Sequence, residues 1–496
     1  MYPIVSTTVF LPLLGALLVL LMRKAPPHVV HGIGIATSGV TLLGALIMWS
    51  RGVNETGFAQ LEQIDWMPSI GAAYRVGVDG ISLPLVLLTA LLFFVTFIYS
   101  AKVRKQSHAF VALMLLLETA SIGAFVALDA ILFYVFFEVS LVSMYFMIAQ
   151  WGHEDRQRAA LMFFIYTFLG SLPLLLAILG LYLGSDPYTF DMRVWISNPP
   201  LDGLAAMLAL IAMLITFAVK TPVFPFHTWL PAAHVQAPAA GSVILAGVML
   251  KFGTYGLVRF AYQMTPDAFR EAGVVILIFG VIAALYGAFA ALAQSDLKRL
   301  VAYTSINHMG YIIIGVAIAA LATDPAIRAT ALDGSVLQMV SHGLVTGALF
   351  LLVGMLQDRA HTRDMAQFGG LIKVVPILGW SFVLAAFASL GLPGLAHFPA
   401  EFQIFLATLQ VEPIAIIAIV GIVITAGLYL RAIAQVFLGE INKTVYDNGA
   451  TAATLPDLNS RELLALAPLL IFTIVLGVAP GWVLDVIHTT TIALPF

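Results

Sequence analysis

Four ionisable residues stand in stretches that are otherwise almost free of charge. Glu138 lies in ILFYVFFEVSLVSMYFMIAQW and Lys220 in LAAMLALIAMLITFAVKTPVF. Lys251 lies in AAGSVILAGVMLKFGTYGLVRF, and Glu401 follows the segment SLGLPGLAHFPAEF. A charge at the centre of a membrane helix costs about 2.5 to 3.5 kcal/mol on insertion scales, so four unpaired ones cost on the order of 10 kcal/mol. They must be paired, hydrated or neutral. Proton transfer is the chemistry such residues suit, because a desolvated lysine binds its proton less tightly, a desolvated glutamate more tightly, and pairing the two reverses both effects. At about 4 Å and an effective dielectric of about 20, one such pair is worth roughly 4 kcal/mol. Moving a charge across a membrane takes about 2.3 kcal/mol per 100 mV, so opening and closing one ion pair is an event of the right size to drive a proton uphill. The alternative is a structural one, in which the charges are satisfied polar contacts between helices or lysines reaching for an interface.

Histidines extend the set. His308 lies in YTSINHMGY, where Ser305, His308 and Tyr311 share a helix face, His342 lies mid-span in LQMVSHGLVTGALF, and His227 and His234 flank the segment KTPVFPFHTWLP. A lone helical histidine is as commonly a hydrogen-bonded packing residue. No pair of histidines and carboxylates has metal-ligand spacing, so no metal is expected. Prolines kink helices for packing alone, yet Pro222 and Pro225 follow Lys220 closely and would leave carbonyls unpaired beside a buried amine.

The elements that must position these residues are membrane helices. Hydrophobic residues make up 61% of the 496 and charged residues 10%, and the mean hydropathy is +1.00, which defines an integral membrane protein. Strand-like alternation is absent, so the expected class is all-α. Apolar runs place fourteen spans near 3-22, 29-49, 79-100, 109-128, 130-150, 159-183, 204-229, 238-260, 272-293, 299-320, 331-356, 371-410 (interrupted), 412-438 and 462-487. The first reads as a retained helix and not a signal peptide. The stretches near 50-78, 184-203 and 439-461 read as loops or short surface helices within one membrane domain, 1-496. Absence of cysteine excludes disulfides, thiol chemistry, Cys-ligated zinc and iron-sulfur clusters, and no basic cluster with interleaved aromatics suggests nucleic acid.

With the N-terminus outside, fifteen of the 23 Lys and Arg, including Lys298 and Lys443, fall in inner connecting segments. Six (Arg51, Arg75, Arg193, Arg259, Arg270 and Arg328) fall outside. The remaining two are Lys220 and Lys251, stranded in spans. The positive-inside rule then puts both termini on the outer side of the membrane.

FAVKTPVFPFH and FASLGLPGLAH superpose with His227 on His397. They belong to the seventh and twelfth spans, and a shift of five spans reverses membrane direction. Two inverted five-helix repeats, 109-260 and 272-438, are therefore expected, each with a broken helix.

The segments AVKTPVFPFHTWLPAAHVQAPAAGSVILAGVMLKFGTYGLVRF (218-260), DLKRLVAYTSINHMGYIIIGV (296-316), HTRDMAQFGGL (361-371) and ASLGLPGLAHFPAEF (388-402) resemble the antiporter-like subunits of respiratory complex I and of Mrp cation/proton antiporters. The pattern is most similar to the subunit M branch, the counterpart of mitochondrial subunit 4. There the twelfth-span lysine of the L and N subunits is glutamate, here Glu401, and the long lateral helix of subunit L is missing after Phe496. The resemblance implies that Glu138 is the fifth-helix glutamate, Lys220 its seventh-helix partner, Lys251 the central lysine, His342 the eleventh-helix histidine and Glu401 the terminal proton-carrying group. It implies a proton-pumping NADH:quinone oxidoreductase of a bacterial cytoplasmic membrane, with no cofactor in this chain. FMN, iron-sulfur clusters and quinone would sit in partner subunits, and subunits L and N, membrane lipids, protons and water are the expected partners. Alternatives are an Mrp-type Na+/H+ antiporter subunit, the membrane arm of a related hydrogenase or ferredoxin-dependent complex, and a purely structural membrane subunit.

Overall fold

A computed structural model describes residues 2–54, 57–442, 446 and 449–494. Thirteen helices in it are long and apolar enough to cross a bilayer. A further crossing is made of two shorter pieces, Pro376–Ser389 and His397–Val411, so the fourteen expected spans are all present, in the expected order. The seventh span is also broken, since its helix Gly203–Lys220 stops at Lys220 and the chain resumes helix only at Trp229–Gln236.

The spans differ in what they face, and their sequences show why. The first, second, seventh, ninth, thirteenth and fourteenth present rows of exposed leucine, isoleucine, valine and phenylalanine, a surface that lipid solvates. The eighth span (Ala239–Tyr262) and the eleventh (Pro325–Ala360) run through the middle, buried along their apolar stretches. These are the spans that carry Ser242, Lys251, Thr254, Ser335, Gln338, Ser341 and His342. Enclosure by other helices makes polar side chains tolerable there, because each finds protein partners in place of hydrocarbon.

The eighth span is not a regular helix. Two π-helical stretches, Leu245–Met249 and Leu257–Tyr262, interrupt it, and π turns widen a helix and shift its carbonyls off the ordinary ladder. Lys251 follows the first of them. Gly253 lies where this span meets the broken end of the seventh: a Cβ there would stand 2.7 Å from the Thr221 backbone nitrogen and 3.0 Å from the Lys220 carbonyl carbon. Only glycine permits that approach.

Two expectations need correction. The stretch near 50-78 is not simply loop or surface helix, because β1 (Ala59–Met67) and β2 (Ala72–Val78) form an antiparallel hairpin. It is anchored from outside itself. The Glu62 carboxylate accepts from Val5 N at 2.8 Å and Ser6 N at 2.9 Å, satisfying the free amides that start the first span, and Arg75 meets Asp129 at 2.7 Å. Alternation in so short an amphipathic hairpin was too weak a signal against the membrane pattern. The connecting segments of the tally are also not all exposed: Arg259 is 1% exposed, Lys298 0% and Arg328 7%, each buried within a helix. Lys443 lies outside the described residues.

The turns before the fifth and tenth spans are built alike. Asp129 caps Ala130–Trp151 by accepting from the amides of Ile131 and Leu132, and Asp296 caps Leu297–Leu321 by accepting from Lys298 and Arg299. Each pairs across an isolated antiparallel bridge with a second aspartate, Asp191 or Asp364, which itself caps a short helix. Each also holds an arginine, Arg75 at 2.7 Å and Arg363 at 3.0 Å.

Candidate functional site

Six of the ionisable residues singled out from the sequence, Glu138, Lys220, Lys251, His342, His308 and Glu401, follow one another across the bundle. At one end Glu138 projects from the fifth span, half-buried, with Oε1 lacking a hydrogen-bond partner. Lys220, the last residue of its helix, is 2% exposed. Its Nζ has no hydrogen bond and stands 4.2 Å above the Phe137 ring, a cation-π position. The expected contact pair of Glu138 and Lys220 is therefore not formed. The aromatic face one residue before the carboxylate takes the direct contact.

Lys251 is fully buried and has two partners. Its Nζ donates to the Ala246 carbonyl at 2.7 Å and lies 2.6 Å from His342 Nδ1. The carbonyl belongs to the π turn just before it. Lysine and histidine were expected on the same route, and the tertiary fold puts them in direct contact. His342 stands next to His308 and His397, with ring centroids 5.6 Å and 6.2 Å away, and its Nε2 is unpartnered.

The axis ends in a second cluster. Glu401, 3% exposed, has Oε1 at 3.5 Å from His308 Nδ1, 3.9 Å from His397 Nδ1 and 3.4 Å from Gln338 Nε2. The break at Leu390–Ala396 makes this possible: Gly391 has φ +77°, and a Cβ on it would collide with Glu401 Oε2. His397, known beforehand only as the echo of His227, is a member of this cluster. Its spacing to Glu401, one helical turn, was the signal that could have found it. The premise that no histidine and carboxylate share metal-ligand spacing is thus wrong for this pair.

The other sequence candidates are more scattered. His227 sits within the seventh break and bonds Tyr286 Oη through Nε2 at 3.0 Å. His234 stacks on Phe350 with centroids 4.5 Å apart, both ring nitrogens unpartnered. The helix face of Ser305, His308 and Tyr311 splits: only His308 reaches Glu401, while Tyr311 bonds Asn307 at 3.0 Å and Ser305 its own helix carbonyl. Beyond His234, Lys298 Nζ donates to the Ala237 carbonyl at 2.7 Å. A cavity of 590 Å³ opens nearby, lined by His153, Gln236, Asp296, Gln357, Asp358 and Arg363.

Sequence reasoning missed one buried ion pair entirely. Arg259 Nη2 meets Asp79 at 2.5 Å with both side chains almost fully enclosed, and the guanidinium also donates to Tyr255 and Gln263. Both residues fall at the ends of apolar runs, where a charge looks like a loop residue. Glu118 was missed too. It is completely buried in the fourth span and accepts from Ser38 at 2.8 Å.

Buried lysines, histidines and carboxylates in this order can hand protons along a bundle, and comparison with known proteins points the same way. Residues 127–426 match the family model described as NADH:quinone oxidoreductase/Mrp antiporter, TM. The chain is 38% identical to NADH-quinone oxidoreductase subunit M of Rickettsia prowazekii, over 98% of this chain and 97% of that one. A chain of respiratory complex I from Thermus thermophilus superposes with a TM-score of 0.87 at 29% identity, covering 99% of this chain and 100% of that one. A chain of the Mrp complex from Dietzia shares the fold, with a TM-score of 0.85 at 21% identity over 100% and 98%. The chain belongs to the family of membrane subunits shared by NADH:quinone oxidoreductases and Mrp antiporters, in its subunit M branch.

Proposed function

We propose that this chain is a proton-translocating membrane-arm subunit of an NADH:quinone oxidoreductase, driven by redox chemistry carried out in other subunits. The observation that carries this reading is the direct contact of Lys251 with His342 at 2.6 Å, midway on a buried axis that starts at Glu138 and ends at Glu401. In the proposed cycle, a change in a neighbouring subunit alters the field between Glu138 and Lys220. The lysine, held on Phe137, then exchanges a proton with Lys251 across the close approach at Gly253. Lys251 passes it to His342, and water and His308 carry it to Glu401 for release. His234 and His227 lie on the feeding side, with the polar cavity at His153 as the mouth.

Further parts of the reading rest on the family and on symmetry. The partners are subunits L and N together with membrane lipids, FMN, iron-sulfur clusters and quinone reside outside this chain, and the membrane is the bacterial cytoplasmic one with both chain termini on its outer side. Two inverted repeats, 109-260 and 272-438, are supported by the matching breaks after Lys220 and Ser389 and by the twin aspartate turns at Asp129 and Asp296. An odd number of spans separates the members of each pair, so they face opposite sides.

The test uses the assembled complex in vesicles. Glu138→Ala or Lys220→Ala should abolish or strongly reduce NADH-driven proton pumping while the complex still co-purifies intact. Full pumping in either variant would sink the relay.

A further inference from the structure

A chain of hydroxyl groups fixes which nitrogen of His308 is bare. Thr304 Oγ1 donates to the Val301 carbonyl at 2.8 Å, so toward Tyr429 Oη, 3.2 Å away, it can only accept. Tyr429 in turn accepts from Ser389 Oγ at 3.0 Å. The Ser389 hydroxyl hydrogen is thereby used, and its oxygen accepts from His308 Nε2 at 3.1 Å. In the neutral ring Nδ1 then carries a lone pair. That nitrogen has no hydrogen bond and faces Glu401 Oε1 at 3.5 Å. Two acceptors face each other in the buried interior.

His397 is arranged differently. Its Nδ1, 3.9 Å from Glu401 Oε1, also lies 3.3 Å from the Ser389 carbonyl, while its buried Nε2 has no partner. The His308 and His397 rings are 4.5 Å apart. One nitrogen of each ring and a Glu401 oxygen all lie within 4.8 Å of one another.

We propose that His308, His397 and Glu401 form a binding site for one divalent transition-metal ion of the Zn2+ class. A separation of 3.5 Å is too long for a shared proton. It suits a bridging ion: tetrahedral zinc holds nitrogen and oxygen donors at about 2.0 to 2.2 Å, which sets them roughly 3.3 to 3.5 Å apart. Two imidazoles and one carboxylate are a donor set zinc takes, with a fourth position left for water. His308 uses its other nitrogen on the Ser389 hydroxyl, as metal-bound histidines do. The carboxylate removes one of the two positive charges the ion would bring into the membrane. Binding follows from this geometry alone. Its consequence, that a bound ion takes up the lone pairs a proton would need and so blocks flux past Glu401, rests on the proposed relay.

The full-length chain, purified in lipid nanodiscs and stripped with a chelator, is titrated with zinc chloride and examined by X-ray absorption at the zinc edge. One ion should bind per chain with micromolar or tighter affinity, with two imidazole nitrogens and one carboxylate oxygen in its shell. His308→Gln, His397→Gln and Glu401→Gln should each weaken binding by about tenfold or more, and His31→Gln, distant and buried, should not. Absence of binding below millimolar zinc, a shell without two imidazoles, or unchanged affinity in the three variants would overturn the site. The wild-type spectrum decides even if a variant fails to fold. In vesicles of the assembled complex, zinc bound at this site without slowing proton flux would remove Glu401 from the relay and leave the site standing.

Discussion

Two glycines in the twelfth-span break separate what the position of Glu401 contributes from what the backbone contributes. Gly391 and Gly394 have φ of +77° and +87°, both in the left-handed region. Placing alanine at either costs about 1 kcal/mol or somewhat more of conformational strain. The two differ in what the new methyl meets. At Gly394 it enters open space, whereas at Gly391 it overlaps Glu401 Oε2 and stands 3.5 Å from the carboxyl carbon. The carboxylate must shift by about 1 Å to restore ordinary contact, which disturbs a cluster whose distances to Gln338 and His308 are 3.4 and 3.5 Å. Misplacement of a reacting group by about 1 Å can lower a rate by about a hundredfold. Gly391→Ala should therefore cut NADH-driven proton pumping of the assembled complex, measured by dye quenching in vesicles, by on the order of tenfold or more relative to Gly394→Ala. Both variants should assemble to similar extents and lose similar thermal stability. Equal pumping in the two would refute the reasoning, since the strain is shared and only the displacement of Glu401 differs.

Breaking the enclosed pair of Asp79 and Arg259 should be expensive in stability. Asp79→Asn or Arg259→Gln alone leaves a buried charge unmatched and should cost about 3 to 5 kcal/mol, while the double replacement Asp79→Leu with Arg259→Met should recover much of that loss in thermal unfolding of the detergent-solubilised chain. A double variant no more stable than the singles would count against it. At the polar mouth, outside the spans, burial pushes the His153 imidazole down to about 4, helped by the charges of Lys298 and Arg363. The folded chain thus keeps this ring neutral where the unfolded chain, titrating near its ordinary value of about 6.5, begins to take up a proton. That stabilisation is whole above about pH 6.5 and declines as pH falls toward 4. His153→Gln should shrink the drop in unfolding temperature between pH 7.5 and pH 5, and an unchanged drop would show that other groups carry it.

How much of this was legible in the amino-acid sequence varies residue by residue, and the reasons are physical. Membrane spans are a local property: about twenty apolar residues cross the bilayer wherever they stand, so the fourteen crossings, the two broken ones and the stranded Lys220 and Lys251 could be read directly. A charge deep inside an apolar run is conspicuous for the same reason, which is why Glu138, His342 and Glu401 stood out. Contacts between spans obey no such local rule. The meeting of Lys251 with His342 joins residues 91 apart in the chain and depends on a π turn and on how the eighth and eleventh helices rotate. Lys220 settles on Phe137 and forms no ion pair with Glu138 because helix packing, not charge type, sets which groups touch. Arg259 reads as a loop cation until Asp79, 180 residues away, closes over it. The sequence by itself determined that this chain buries proton-active groups in a membrane. The tertiary structure decided which of them face one another, since lone pairs and carboxylates acquire their partners only when distant helices come within hydrogen-bonding distance.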